Sequence, residues 1–241
     1  TFIKRAAALA AALAGVNASA APAGAGTGRY PVHFFTKPLD GYPPDFMLDT
    51  LAQVGVDGLD LTVRKGGRVE PAAVADQLPA FIRQAERRGL KVEMMVTDIT
   101  SPGSPHARSV LETAAANGIR HYRMGYFRYP VSADVQGLLR QVHGDFRALA
   151  ALNGEVGIQG GYQNHSGLYF GAPVWDLWQA LGDIPPHELG IQFDIRHAVA
   201  ESAFSWLPTM RLVHGHIGSL AIKDFTWAVE GGRARAVNVP L

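Results

Sequence analysis

Asp194 and His197 are the residues whose types and spacing point most directly to chemistry. They close the stretch GIQFDIRH at 190–197, where a short alternating apolar run ends on a carboxylate and an imidazole follows three residues later. An acid and a histidine so placed could share one cation or one proton at the mouth of a parallel sheet. The structural alternative is an ion pair that ties a strand to its loop.

Other polar groups stand where short apolar runs end: Lys37, Arg64, Asp98 with His106 beyond it, Arg123 and Tyr126, Gln163 with Asn164 and His165, and Lys223 with Asp224. Several of these are costly to bury without a partner. Each also has a plain structural use. Asn-His-Ser-Gly makes a good turn, Lys223 and Asp224 could pair as a strand-end salt bridge of little worth, and Arg123 could pack on Tyr126. His33 fits an interior histidine. His121, His143, His187, His214 and His216 fit helix or loop positions, and the four tryptophans fit mostly core.

The elements that must position these groups follow a repeated pattern. Helix-like segments run into Gly55, Gly89, Gly118, Gly154, Gly190 and Gly218, and an apolar strand follows each. Glycine just past a helix supplies the left-handed cap that turns the chain. Repeated units of this length mean a parallel sheet with crossover helices. The expected strands are 32–35, 59–63, 92–96, 119–124, 156–160, 191–193 and 220–222. Helices are expected from Pro43, from Pro79, and over 110–116, 135–149, 174–181 and 204–213. No GxGxxG follows the first strand, which disfavours a dinucleotide-binding sheet. The fold class is therefore α/β, a (β/α)8 TIM barrel. It reads as truncated after strand seven, since a polar hairpin-like piece follows Trp227 where the last βα unit belongs.

The chain has 241 residues, 47% of them hydrophobic, with a net charge of +1 and no cysteine. Disulfides and thiolate chemistry are excluded, and no basic block argues for nucleic acid. Lys4 and Arg5, the apolar run 6–15 and Ala18-Ser19-Ala20 have the order of a secretory signal. The run is too short to span a bilayer. TFIKRAAALAAALAG also resembles the part of a twin-arginine signal that follows the two arginines. Residues 1–20 are thus expected to be the remnant of a signal, 21–28 a flexible linker and 29–241 the barrel. The mature protein is expected to be periplasmic or secreted, with no membrane contact after cleavage.

Three segments carry a resemblance: YQNHSG at 162–167, GIQFDIRHA at 190–198 and LAIKDFTW at 220–227. With the helix-Gly-strand rhythm they resemble the xylose-isomerase-like barrel superfamily, the sugar isomerase/epimerase group, from about Val32 onward. The resemblance implies one divalent cation, Mn²⁺, Mg²⁺ or Zn²⁺, that holds sugar oxygens while side chains move a proton between carbons. Position by position it assigns Asp194 and Gln163 to the metal. Gln163 stands where many relatives have Glu, Ala221 where some have a ligating His, and the last ligand would lie past Leu241. In a variant of this reading His197, His165 or Lys223 does proton transfer with little or no metal, and the residues themselves suggest substrate contacts by Arg123, Tyr126, Asp224, Lys37 and Trp227, the last as a stacking platform for a sugar ring. The expected function is a carbohydrate isomerase or epimerase with a small-molecule carbohydrate as partner and a homo-oligomer allowed. The alternatives are a metal-poor lyase on an oxidised sugar and a non-catalytic sugar-binding barrel. A nuclease like the apurinic endonucleases of the same superfold is disfavoured by the net charge of +1 and the thin ligand set.

Overall fold

The computed structural model describes residues 29–131 and 134–241. The expected signal and linker at 1–28 lie outside the described residues. Val32–Leu241 forms one compact unit. Its sheet contains β1 (His33–Phe35), β2 (Gly58–Thr62), β3 (Lys91–Val96), β4 (His121–Arg123), β5 (Gln159–Gln163), β6 (Leu189–Asp194) and β7 (Ile217–Ala221). All seven strands are parallel and stand in sequence order. The connecting helices are α1 (Pro44–Val54), α2 (Val74–Glu86), α3 (Ala107–Ala116), α4 (Val135–Val156), α5 (Trp175–Leu181), α6 (Ile195–Ser202) and α7 (Trp206–Val213). This is the expected α/β, TIM-barrel-like architecture with seven parallel strands.

Period-two alternation splits the sheet into two chemistries. Leu59, Leu61, Met95, Tyr122, Tyr162, Ile191 and Phe193 are buried in the hydrophobic core with the helices. Tyr162, for example, packs on Phe146 of α4 with ring centroids 5.4 Å apart. Among the intervening residues are Asp60, Arg123, Gln163, Gln192 and Asp194, all polar and buried. One face therefore stabilises the fold, and the other carries groups that need partners.

After β7, the chain leaves the sheet. β8 (Asp224–Glu230) and β9 (Arg233–Val239) form a separate antiparallel hairpin. Its turn is Gly231-Gly232, with φ of 58° and 76°. Both central residues of a tight hairpin turn need positive φ, which glycine adopts freely. The hairpin starts at Asp224, earlier than expected, so Asp224 and Trp227 ride on it.

Several boundaries differ from expectation for physical reasons. Gly55, Gly89 and Gly118 do have left-handed φ. Gly154 instead lies inside α4, and Gly157, with φ of 75°, caps that helix. Strand five consequently starts at Gln159. Gly190 and Gly218 lie within strands. At Gly190 the reason is a close approach: a Cβ there would stand 2.5 Å from the His216 carbonyl oxygen. α2 begins at Val74 and carries Pro79 in its interior, because Val74, Leu78, Phe81, Ile82 and Ala85 form one buried helical stripe that outweighs the lost hydrogen bond. α6 is a helix that strand-and-glycine punctuation does not announce. His121 lies in β4 rather than in a helix or loop. The tryptophans are not mostly core: Trp175, Trp178 and Trp227 are 51%, 42% and 57% exposed.

Two glycines give opposite expectations. Gly190→Ala forces backbone apart and should cost ~1–3 kcal/mol, as overpacking does. Gly144, inside α4 with nothing near its missing Cβ, should gain up to about 1 kcal/mol as Gly144→Ala. Urea denaturation of both variants checks the pair, and equal effects would refute the close approach.

Candidate active site

Asp194 ends β6 and is also the N-cap of α6. Its Oδ1 accepts the backbone N–H of His197 at 2.9 Å, the usual bond from an N-cap side chain to the third helical residue. The three-residue spacing of acid and histidine is thus the spacing of a helix cap. Oδ2 accepts from Lys223 Nζ at 2.6 Å and from Gln163 Nε2 at 2.7 Å. The Asp194 backbone is clamped as well. Its N–H donates to Asn164 Oδ1 at 2.7 Å, and its carbonyl accepts from Asn164 Nδ2 at 3.0 Å. Neither Asp194 nor Asn164 has exposed surface.

The orientation of Gln163 is fixed by what surrounds it. Arg123 can only donate, and its Nη1 lies 3.2 Å from Gln163 Oε1. The Tyr126 hydroxyl donates to the same oxygen. The Asp194 carboxylate can only accept, so the amide nitrogen must face it. The guanidinium of Arg123 also sits over the Tyr126 ring, 4.8 Å from its centroid.

Two histidines lie against this network. His197 Nε2 is 3.7 Å from Asp194 Oδ2. Its Nδ1 lies 2.9 Å from Ser166 Oγ and 3.1 Å from Arg196 Nη1. Since Arg196 only donates, Nδ1 is an acceptor and the ring proton sits on Nε2. Burial pushes the His197 pKa down to about 2, helped by His165, Lys223, Arg196 and Arg123, so the ring is neutral. His165 stacks on it with centroids 3.8 Å apart. His165 Nδ1 donates to the Ser166 carbonyl at 2.9 Å, which leaves Nε2 with a free lone pair. Burial lowers this pKa too, with Lys223 and Arg123 adding to it. Tyr126 packs edge-on against the His165 ring at 5.3 Å, and burial pushes its own pKa up to about 12.

Of the expected site residues, Asp194, Gln163, Lys223, His197, His165, Arg123 and Tyr126 meet in one network. Lys37 does not join it. It is exposed in the 3₁₀ turn Lys37–Leu39 and makes no side-chain hydrogen bond or ion pair among the described residues. Asp224 accepts from the Phe225 N–H at 2.7 Å on the hairpin, and Trp227 lies edge-on to Phe225 at 5.6 Å. Sequence reasoning missed Arg196 and Asp60. Arg196 stands in the singled-out stretch itself, where DIRH opens α6. It is 8% exposed and donates to Asn238 Oδ1 at 3.1 Å and to the Ala236 carbonyl at 3.2 Å. It thereby fastens the hairpin to the site. Asp60 hides in Leu-Asp-Leu, which reads as ordinary strand alternation. It is 8% exposed, and its Oδ1 has no hydrogen-bond partner.

The arrangement can be tested against the divalent cation that the resemblance implies. Among the described residues no three His, Cys, Asp or Glu side chains gather to hold an ion. The oxygen of Gln163 is turned to Arg123 and Tyr126, and both Asp194 oxygens accept hydrogen bonds from protein groups. Mg²⁺ demands octahedral oxygen ligation, and other hard dications need comparable oxygen sets. The donors present do not fit one.

The sequence pattern of the xylose isomerase-like TIM barrel matches residues 48–240. The chain belongs to the xylose isomerase-like TIM barrel family. No curated protein matches it by sequence. Solved structures share the fold at low identity. A xylose isomerase-like TIM barrel protein from Mycobacterium smegmatis in complex with magnesium superposes with a TM-score of 0.66 at 16% identity, covering 88% of this chain and 81% of that one. The 3-keto-D-glucoside 4-epimerase of E. coli gives 0.64 at 12%, covering 81% and 80%. The probable 3-DHS dehydratase AsbF of Bacillus anthracis gives 0.64 at 12%, covering 82% and 74%.

Asp60 yields a pH expectation. Burial raises its pKa from 3.8 to about 6 against the opposing pull of Arg123, Gln192 and Lys223. A carboxyl with a raised folded-state pKa binds its proton more tightly when folded. Its contribution to stability is whole below the unfolded value and is lost as pH rises through the folded one. The loss should be about 3 kcal/mol between roughly pH 4 and pH 7. Asp60→Asn should remove that slope from stability measured by urea denaturation across this range. An unchanged slope would show that Asp60 is not the group responsible.

Proposed function

We propose that this chain is a carbohydrate-active enzyme of the isomerase/epimerase kind that moves a proton at a sugar carbon with its own side chains. The observation that carries this reading is the free Nε2 lone pair of the neutral His165, set in the network centred on Asp194 and Lys223. Family membership supports the substrate class. His165 Nε2 takes the proton from a carbon next to a sugar carbonyl. The C–H electron pair moves onto the carbonyl oxygen, giving an enediolate. Lys223 has three N–H donors and uses one on Asp194. The others are available to steady the developing oxyanion electrostatically. Return of the proton from His165 to the former carbonyl carbon, with the hydroxyl proton passing to the enediolate oxygen, completes an isomerisation; an epimerisation needs protonation of the original carbon from the opposite face by a water, which then takes back the proton held by His165. The export signal expected at the N-terminus would place this reaction in the periplasm or outside the cell.

A second reading rests on charge. Arg123 and Arg196 are 6% and 8% exposed, and neither forms a salt bridge or hydrogen bond to a carboxylate among the described residues. Arg123 has the buried Asp60 carboxyl as a nearby counter-charge, but Arg196 is held by neutral groups alone, and a buried cation so placed favours an anionic ligand. A sugar oxidised to a carboxylate would supply one. After loss of the α-proton, the β C–O bond of such a sugar could break, with the leaving oxygen taking the proton back from His165. That is a lyase reaction.

Incubation with aldoses, ketoses and uronates in D₂O, followed by NMR, tests both readings. An isomerase or epimerase should bring deuterium in at a carbon next to the carbonyl, and a lyase should turn the uronate into an unsaturated sugar acid. His165→Gln should slow either by ~10²–10⁴-fold, the usual share of a general base. Sugar binding with neither exchange nor elimination would sink the enzyme reading and leave a binding barrel.

The same base sets a pH limit. Because burial lowers its pKa below the ordinary 6.5, the acid limb of kcat/KM should lie below pH 6.5. An acid limb above that value would assign the base to another group.

A further inference from the structure

The partners of Asp194 describe a cation site that is already filled. The carboxylate has no exposed surface, and its Oδ2 is 2.6 Å from an ammonium. Gln163, the neighbour that would have to offer a second oxygen, offers its N–H instead. Ala221, paired with Asp194 across β6 and β7, offers only a methyl group. Lys223 follows it two residues later, where its chain can reach back over that small side chain to Oδ2. The Lys223 side chain is about one-third exposed, at 35%, so the ammonium faces Asp194 on one side and open space on another. A metal seated on Oδ2 would have to displace this charge or stand beside it, and like charges that close repel strongly.

We propose that the Lys223 ammonium is the built-in cation of this site. It holds the place on Asp194 that a divalent ion would take, so the chain binds Mn²⁺ or Mg²⁺ there only when Lys223 is removed. For its catalytic consequence, that proton transfer here needs no added metal, the inference rests on the function proposed above. The binding claim stands without it.

The experiment is a Mn²⁺ titration at neutral pH, followed by calorimetry and by the loss of the free-ion EPR signal, on the full chain and two variants. In the first, Lys223→Met vacates Oδ2 while keeping the apolar stem. In the second, Gln163→Glu is added, so that two carboxylates face each other. The unaltered chain should show no saturable binding up to millimolar Mn²⁺. The double variant should take up one ion with affinity at least about 100-fold higher, since affinity follows ligand charge. Mn²⁺ should raise the melting temperature of that variant and not of the parent.

Saturable one-site binding by the unaltered chain at micromolar Mn²⁺ would overturn the proposal. So would a folded double variant that binds no better than the parent. If neither variant folds, the parent decides alone: one-site binding refutes the built-in cation, and its absence, with solvent exchange into the sugar unchanged by EDTA, supports it. Failure of sugar exchange with these binding results intact would count against the proposed function and not against the occupied cation site.

Discussion

A carboxylate with no exposed surface has to be surrounded by donors, and Asp194 meets that demand with almost every neighbour it has. One oxygen caps α6 through the His197 N–H. The other takes Lys223 from beyond β7 and Gln163 from the end of β5. Its backbone is held by Asn164. The ends of three consecutive strands are thus tied to one side chain. Breaking a buried pair of this kind by removing one partner costs on the order of 3–5 kcal/mol, so the same residue that organises the site also holds the sheet's rim together. The order Arg123, Gln163, Asp194, Lys223 follows from which groups can donate and which can accept. Two donors at the ends and one acceptor-only carboxylate leave the glutamine a single orientation.

The hairpin belongs to this arrangement through Arg196. The helix that Asp194 caps presents Arg196 as its second residue, and that guanidinium reaches two residues of β9 and lies 5.2 Å from the centroid of the Phe225 ring on β8. A cation over an aromatic face, with backbone and amide oxygens around it, is held without a carboxylate. The hairpin therefore takes its position from the helix cap, and Asp224 and Trp227 take theirs from the hairpin. This makes Trp227 a neighbour of the site through Phe225 rather than a residue at the end of a barrel strand.

Much of this was legible in the sequence, and the rest was not for definite reasons. Short apolar runs marked the number and order of the strands because burial of one face demands them, but strand five, expected at 156–160, is the polar and glycine-rich Gln159–Gln163, and strand seven, expected at 220–222, is Ile217–Ala221. The Asp194–His197 spacing drew attention as chemistry, and it is first of all a helix-cap spacing. Gly154 and Gly157 are both plausible helix ends by composition, and only the packing of Leu149, Leu152 and Asn153 decides that the helix runs on to Val156. The direction of the Gln163 amide depends on Arg123, forty residues earlier, and no local pattern encodes it. Asp60 was invisible because a polar residue between two leucines looks like a solvent-facing strand position, and only the fold, which brings Arg123, Gln192 and Lys223 near it, buries it. Arg196 sat inside the motif but between the two residues that drew the eye.

The charges explain why the two imidazoles of the site are neutral. Lys223, Arg123 and Arg196 stand near the His197 ring against two buried carboxyls, Asp194 and Asp60, and a positively charged ring among them would add a fourth cation. Burial pushes in the same direction, so His197 stays neutral and His165 keeps an open lone pair. A neutral base next to fixed cations is suited to taking a proton from carbon, because the cations meet the negative charge that appears on oxygen while the base does not have to shed a proton first. The same field disfavours a dication on Asp194. The two features have one cause: positive charge in this site comes from the chain itself, and the remaining groups are arranged around it.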